Sequence, residues 1–271
     1  MVNYHTHSRY CDGKGELREY VEYAVSKGFS ALGFSSHAPV PFDDHFALRD
    51  TDYEAYCDEV RRLRAEYAGT IGILLGLEID FIPRVIDDFG PLVSRGGLDY
   101  CIGSVHQVAN PDEAPDSLWF IDGKFREVYD QGLQRVFHGD IRKGVTCFFR
   151  QNIDMLRMAN PTVIGHFTKI FMHNGGRYFS EDEAWVRSLV RDTVDQIAAS
   201  GTICEINTRG IYRKRYNDFY PSRDIIRYMD TLGIPVIVSS DAHSPDEIDL
   251  FCGACEFLKE IGYHNVVTEV R

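Results

Sequence analysis

The 271-residue sequence predicts an α/β protein, most simply a single (β/α) barrel domain spanning 1–271. Two observations carry that fold class. Short apolar, β-rich runs alternate with amphipathic helical stretches about seven times, the pattern of a parallel sheet. No Pro/Gly/Ser-rich linker interrupts the alternation, so one sheet is expected rather than two domains. A third observation favours closure: His, Asp and Glu recur just after predicted strands, the end at which barrel sites form. An open doubly wound sheet is the alternative. The absence of a glycine-rich loop of dinucleotide-binding or P-loop spacing disfavours it.

In order, 2–6 reads as the first strand and ends in His5-Thr6-His7. Glu16 to Lys27 reads as a helix, with Leu17, Val21, Ala24 and Val25 on one stripe and Gly28 as its stop. Ala31 to Phe34 is a strand leading to Ser35-Ser36-His37. Thr51 opens a helix whose face is Tyr53, Tyr56, Cys57, Val60, Leu63 and Tyr67. Ile71 to Ile79 is a strand carrying Glu78, a short helix covers 84–94, and Tyr100 to Val105 delivers His106. Gln107 to Gly123 reads as a long acidic loop, a wall or lid in which Trp119-Phe120 offers an aromatic surface. Helices are expected over 124–137 and 146–158, then a strand over 162–166 ending in His166. A helix over 181–200, a strand over 203–206 and a helix opened by Pro221 follow. Pro235 to Ser239 is the last strand and delivers Asp241 and His243. Ser244-Pro245-Asp246-Glu247 has the form of a capping box for the final helix.

Composition narrows the partners. A net charge of −12 argues against a general nucleic-acid or membrane surface, but not against a small anion bound beside metals and a few cations. No positive-then-apolar leader and no apolar run of about 18 residues is present, so a cytoplasmic protein is expected. The seven scattered cysteines fit reduced buried thiols. Cys252-Gly253-Ala254-Cys255 lacks a second pair and falls in an expected amphipathic helix, which makes a metal or redox role unattractive.

The chemistry lies in what gathers at the strand ends. In extended chain, residues i and i+2 share a face, so His5 and His7 can reach one point. His37, Glu78, His106, His166, Asp241 and His243 follow other strands, and Asp12 lies in the first loop. One histidine after a strand is usually an ordinary polar group. Six of the ten histidines at such places, with Glu78 in an apolar strand, point to metal. These nine N/O donors exceed the needs of one ion, and carboxylates can bridge, so a di- or trinuclear hydrolytic site is expected.

His5-Thr6-His7, Asp12-Gly13, Ser36-His37, Gly76-Leu77-Glu78, Ser104-Val105-His106, Gly165-His166 and Ser239-Ser240-Asp241-Ala242-His243 resemble the ordered motifs of the PHP (polymerase and histidinol phosphatase) family. The resemblance runs over essentially the whole chain. Cys204-Glu205-Ile206-Asn207-Thr208 and Tyr220-Pro221-Ser222 further resemble its histidinol-phosphate phosphatase branch. It implies a distorted (β/α)7 barrel, TIM-like, with two to three divalent ions; zinc, manganese and iron all suit such donors. By resemblance, His5, His7, Glu78 and Asp241 hold the first ion, Glu78, His106 and His166 the second, and Asp12, His37 and His243 the third. Phe167-Thr168-Lys169 departs from the pattern, since the family often carries an Asp two residues beyond the His.

The expected activity is hydrolysis of L-histidinol phosphate, a step of histidine biosynthesis, with another small phosphate ester as the alternative. A non-catalytic module is disfavoured by the complete donor set, and an amidohydrolase by the lack of its usual Lys or His pair. Asp12, Asp241 and His243 are the catalytic candidates; a bound water, Asp12 or His243 protonates the leaving alkoxide. Arg209 is the first candidate for the phosphate, with Lys169 and Arg213 behind it. Oligomeric state is not legible.

Overall fold

The computed structural model describes residues 1–42 and 45–270. Strand β1 (Val2–Asn3) is short, and α1 (Leu17–Ser26) opens on a reciprocal capping box between Glu16 and Glu19. Strand β2 (Ala31–Phe34) follows, then α2 (Tyr53–Glu66), β3 (Gly72–Asp80) and α3 (Gly90–Gly96). The helix expected over 84–94 starts late, at Gly90. Its first residues instead close a tight turn: Ile86 N donates to Ile82 O at 2.8 Å, with Arg84 left-handed at φ 68°.

After β4 (Tyr100–Ser104), the expected loop is a hairpin of β5 (Gln107–Ala109) and β6 (Leu118–Phe120). Helix α4 (Arg126–Phe137) leads to α5 (Ile141–Met158), which begins earlier than expected because Asp140 accepts a bond from Lys143 N at 3.0 Å. Strand β7 (Val163–Ile164), α6 (Ala184–Ser200), β8 (Ile203–Asn207) and the single turn α7 (Arg209–Tyr212) come next. Helix α8 (Arg223–Thr231), β9 (Val236–Ser239) and α9 (Ala254–Ile261) complete the order. The Ser244 capping box is a correction: Pro245–Glu247 forms only a 3-10 turn. Glu247 Oε2 accepts from His243 N at 2.8 Å instead of the cap residue, and Cys252 and Gly253 at φ 51° and 80° break the run before Ala254.

Seven parallel strands form one sheet in the order β1-β2-β3-β4-β7-β8-β9. The two edge strands meet only at the rim. There Thr6 bridges Ala242, His7 N donates to Ala242 O at 2.7 Å, and Ala242 N to His5 O at 3.1 Å. The result is a nearly closed barrel in a single α/β domain, not an open doubly wound sheet.

Strand alternation sorts the barrel interior by height. Tyr4, Tyr100, Ile102, Val163 and Ile237 pack as one apolar cluster. Tyr100 Oη donates across to Tyr4 O at 2.5 Å and Phe34 O at 3.1 Å, on strands that are not its neighbours. Further along the same faces come Glu78, Glu205 and Asp241. The larger core lies between strands and helices and includes Trp119, wholly buried with its Nε1 donating to Tyr129 O at 2.8 Å.

Gly76 is where the barrel floor needs a missing side chain. A Cβ there would stand 2.5 Å from Tyr100 ring carbons. Gly76→Ala should therefore cost about 1–3 kcal/mol, measured by chemical denaturation. Gly72→Ala in the same strand, with its nearest neighbour at 3.4 Å, should be close to neutral.

Candidate metal centre

Each strand hands one or two donors to the rim. Glu78, 1% exposed, stands at the middle. Its Oε2 lies 3.1 Å from His5 Nε2, 3.4 Å from His7 Nε2 and 3.1 Å from His37 Nδ1. Its Oε1 lies 3.0 Å from His166 Nε2 and 3.5 Å from His106 Nε2, and accepts a bond from Ser104 Oγ at 2.6 Å. Asp241 Oδ1 is 3.4 Å from His7 Nε2 and 3.5 Å from His243 Nδ1. Asp12 Oδ1 reaches His243 Nε2 at 3.2 Å and His37 Nε2 at 3.8 Å. Asp241 holds a left-handed φ of 55°, strain of the kind that persists where the surroundings over-determine a functional residue.

All nine predicted donors thus come together. Donor atoms within 4.8 Å of one another fall into four groups: His7-Asp12-His37-His243, His5-His7-Asp241, His5-Glu78-His166 and His37-Glu78-His106. Glu78 stands in the last two of these groups, with His5 and His166 in one and with His37 and His106 in the other. His7 also sides with the Asp12 group, and His37 with Glu78 and His106.

The donor set fits divalent ions. Among the described residues His5 Nε2 and His7 Nε2 are buried without a hydrogen-bond partner, although carboxylate oxygens lie close by. Such opposed lone pairs are satisfied by a cation between them, and imidazole with carboxylate suits zinc, manganese or iron.

Electrostatics keeps Glu78, Asp241, His7 and His37 in the form that binds a cation, whereas the surrounding carboxylates outweigh burial and draw His5 and His106 toward their protonated forms. Burial would raise the Glu78 carboxyl, yet the His5, His37 and His106 rings hold it well below the usual carboxylate range. Asp241 is likewise held down against burial by His5, Lys169 and Arg209. Burial brings His7 and His37 down to about 4. Burial also opposes charge on His106, but Asp80 and Glu78 outweigh it and raise the ring to about 9.

Behind the donors stands Glu205, which the sequence reading placed only in a family-like motif. Its Oε1 lies 2.5 Å from His5 Nδ1 and also accepts from Ser239 Oγ. Its Oε2 accepts from His166 N at 2.8 Å and Asn207 Nδ2 at 3.2 Å. A proton on Nδ1 aims the Nε2 lone pair of His5 into the centre. The readable signal was a second carboxylate inside an apolar strand. Asp80, which accepts from His106 N at 2.7 Å, and Asp122 carried no such signal.

Cations border the centre on one side. Lys169, 3% exposed, has Nζ 2.8 Å from Asp122 Oδ2 and 3.5 Å from Asp241 Oδ2. Arg209 Nη1 donates to Asp241 O at 2.6 Å. Both line one small cleft, together with Asp122, Arg215 and Tyr220. Arg213 turns away and pairs with Glu247 Oε1 at 3.0 Å. Of the hairpin's aromatic pair, Trp119 is core, whereas Phe120 stacks on Phe46, whose ring centre is 4.9 Å from that of His37. All seven cysteines are free thiols, and the donor groups found among the described residues contain none of them. Among the described residues no helix is long and apolar enough to cross a membrane.

The sequence motifs that supply this rim resemble those of the PHP domain family. The pattern of that family matches residues 3–209, and the chain belongs to it. A Deinococcus radiodurans protein named "Probable histidinol-phosphatase" is 28% identical, with 100% of this chain and 97% of that protein covered. The Bacillus subtilis histidinol-phosphatase is 26% identical, with 90% and 94% covered. HisK of Listeria monocytogenes superposes with a TM-score of 0.79 at 20% identity, covering 92% of this chain and 98% of that one. The Lactococcus lactis histidinol phosphate phosphatase, solved with zinc, L-histidinol and phosphate, superposes at 0.69 with 21% identity and 99% and 96% coverage.

Glu205→Gln should weaken metal binding about ten- to a hundred-fold while the fold persists. Chelator competition measures the first and circular dichroism the second; unchanged affinity would mean that Glu205 does not orient His5.

Proposed function

We propose that this chain is a metal-dependent phosphomonoesterase that hydrolyses L-histidinol phosphate to L-histidinol and inorganic phosphate. The observation that carries the reading is the clustering of eight His and Asp side chains with Glu78, beside the buried Lys169 and the partly buried Arg209. The relatives named histidinol-phosphatase, and the Lactococcus lactis structure holding L-histidinol and phosphate, support the choice of substrate.

In this reading two to three ions occupy the centre. His5, His7, Glu78 and Asp241 would hold one, Glu78, His106 and His166 a second, and Asp12, His37 and His243 a third. Bound divalent ions supply Lewis-acid charge and a water acidified toward neutrality. The chain's own groups do the rest. Glu78 keeps the sites at a fixed spacing. Lys169 and Arg209 receive phosphoryl oxygens, and Arg209 also braces the Asp241 backbone through its 2.6 Å bond to the carbonyl. Arg213 has no part in this clamp, because it is exposed and does not line the cleft that Lys169 and Arg209 share. Asp12 and His243, with side chains 35% and 14% exposed, are the donors nearest solvent, which suits delivery of a proton to the departing alkoxide. Phe46 and Phe120 offer a flat apolar wall to the leaving group.

Phosphate release from a panel containing L-histidinol phosphate, sugar phosphates, nucleotides and an aryl phosphate tests the reading. L-histidinol phosphate should give the highest kcat/KM, and chelator should abolish turnover. Preference for another ester would move the substrate within the same chemistry. A fully active metal-free preparation would overturn the mechanism.

Two substitutions separate metal from phosphate. Glu78→Gln should lose bound metal along with rate, since a neutral amide bridges dications poorly; elemental analysis reads it out. Arg209→Ala should lower kcat/KM about 10²–10³-fold, as for one preorganised donor, with metal content unchanged.

A further inference from the structure

The cleft beside the metal centre contains a buried hydroxyl that the fold itself does not use. Lys169, Arg209, Arg215 and Tyr220 line it. Lys169 is held by Asp122 and Asp241, and Arg209 by the Asp241 carbonyl. Tyr220 is 1% exposed, and its hydroxyl has no hydrogen-bond partner among the described residues. A buried hydroxyl without a partner is costly, and such groups are rare in native proteins.

Everything that fixes Tyr220 acts through its backbone or its ring. Tyr220 N donates to Asn207 O at 3.0 Å and Asn207 N to Tyr220 O at 2.9 Å, which ties it to the end of β8. Its ring stacks on Tyr216 at 5.0 Å between centres and 14° between planes. The ring and hydroxyl also press on Gly210, where any Cβ would stand 2.9 Å from both. Phenylalanine would serve all of these contacts equally well. The oxygen is therefore explained by something that enters the cleft.

We propose that Tyr220 is a substrate-binding residue whose hydroxyl donates to a non-bridging phosphoryl oxygen held among Lys169, Arg209 and Arg215. The proposal rests on the reading of the centre as a phosphomonoesterase. Three cations outnumber the one carboxylate, Asp122, on the cleft wall and favour an anion there, and a planar guanidinium beside a phenol offers a phosphoryl group donors from two directions. Burial raises the phenol well above its ordinary pKa, so it stays a donor throughout the working range. A neutral donor also adds a hydrogen bond without adding charge next to Lys169 and Arg209.

The test is Tyr220→Phe in the metal-loaded full chain. Inorganic phosphate affinity is read by titration calorimetry, kcat/KM with an aryl phosphate, and thermal unfolding without phosphate. Phosphate affinity and kcat/KM should each fall about ten- to a hundred-fold, while the unfolding midpoint stays the same or rises because an unpaired buried hydroxyl has gone. Gly210→Ala keeps the hydroxyl but displaces it, and should also weaken phosphate. Wild-type phosphate affinity in Tyr220→Phe would overturn the proposal. So would a loss of affinity matched by a loss of stability, which would make the hydroxyl structural. Neither probe contains histidinol, so an error in the assigned leaving group leaves this outcome readable, and failure on the ester panel is separate from failure here.

Discussion

The contact on which this protein most depends is the rim bridge between Thr6 and Ala242. Strand β1 has two residues and β9 four, and they do not pair along their lengths. The barrel closes only where the extended segment after β1 meets the turn after β9. That seam is made of candidate metal donors, since His5 and His7 flank Thr6 while Asp241 and His243 flank Ala242. Closing the fold and assembling the site are one event. Ions bound across the seam would staple the first and last strands, because ligand binding to the folded state alone adds to stability.

A second constraint is the vertical sorting of the barrel interior. Its floor is filled by Tyr4, Tyr100, Ile102, Val163 and Ile237, a dry layer that excludes water from below. The upper layer holds Glu78, Glu205 and Asp241, all 2% exposed or less. Carboxylates at that depth persist only if paired, and removing one partner of a buried pair costs about 3–5 kcal/mol. Glu205 is satisfied by His5, His166, Asn207 and Ser239, so it is fully committed to orientation. Glu78 has one hydroxyl partner and five imidazoles around it, which leaves it lone pairs for cations.

Charge is divided across the site. The whole chain is acidic at −12, yet Lys169, Arg209 and Arg215 line one cleft against the donor cluster. An anion approaching this mouth is drawn by that local field and not by the net charge. Asp122 ties Lys169 in place from the hairpin end, and Glu247 draws Arg213 away from the cleft. Asp122 and Glu247, each set beside a histidine of the donor cluster, thus hold Lys169 and Arg213 in place.

The sequence by itself determined the strand-helix alternation of the parallel sheet and the gathering of His, Asp and Glu at strand ends, because both are written locally. Strand alternation and helix periodicity do not depend on distant residues, and a strand end in such a barrel can point only to the rim. His5-Thr6-His7, Glu78 and Asp241 were legible for that reason. The tertiary structure decided what depends on long-range partners. Ser244 has the local form of a helix cap, but Glu247 bonds to His243 N and ion-pairs with Arg213, so the helix starts at Ala254. Trp119 and Phe120 are adjacent in sequence, yet alternation in β6 sends one into the core and the other to the site. Arg209, Arg213 and Arg215 look equivalent in one basic run. Which of them faces the cleft depends on Glu247 and on the turn after α7, and no spacing along the chain encodes where a carboxylate 34 residues away will stand.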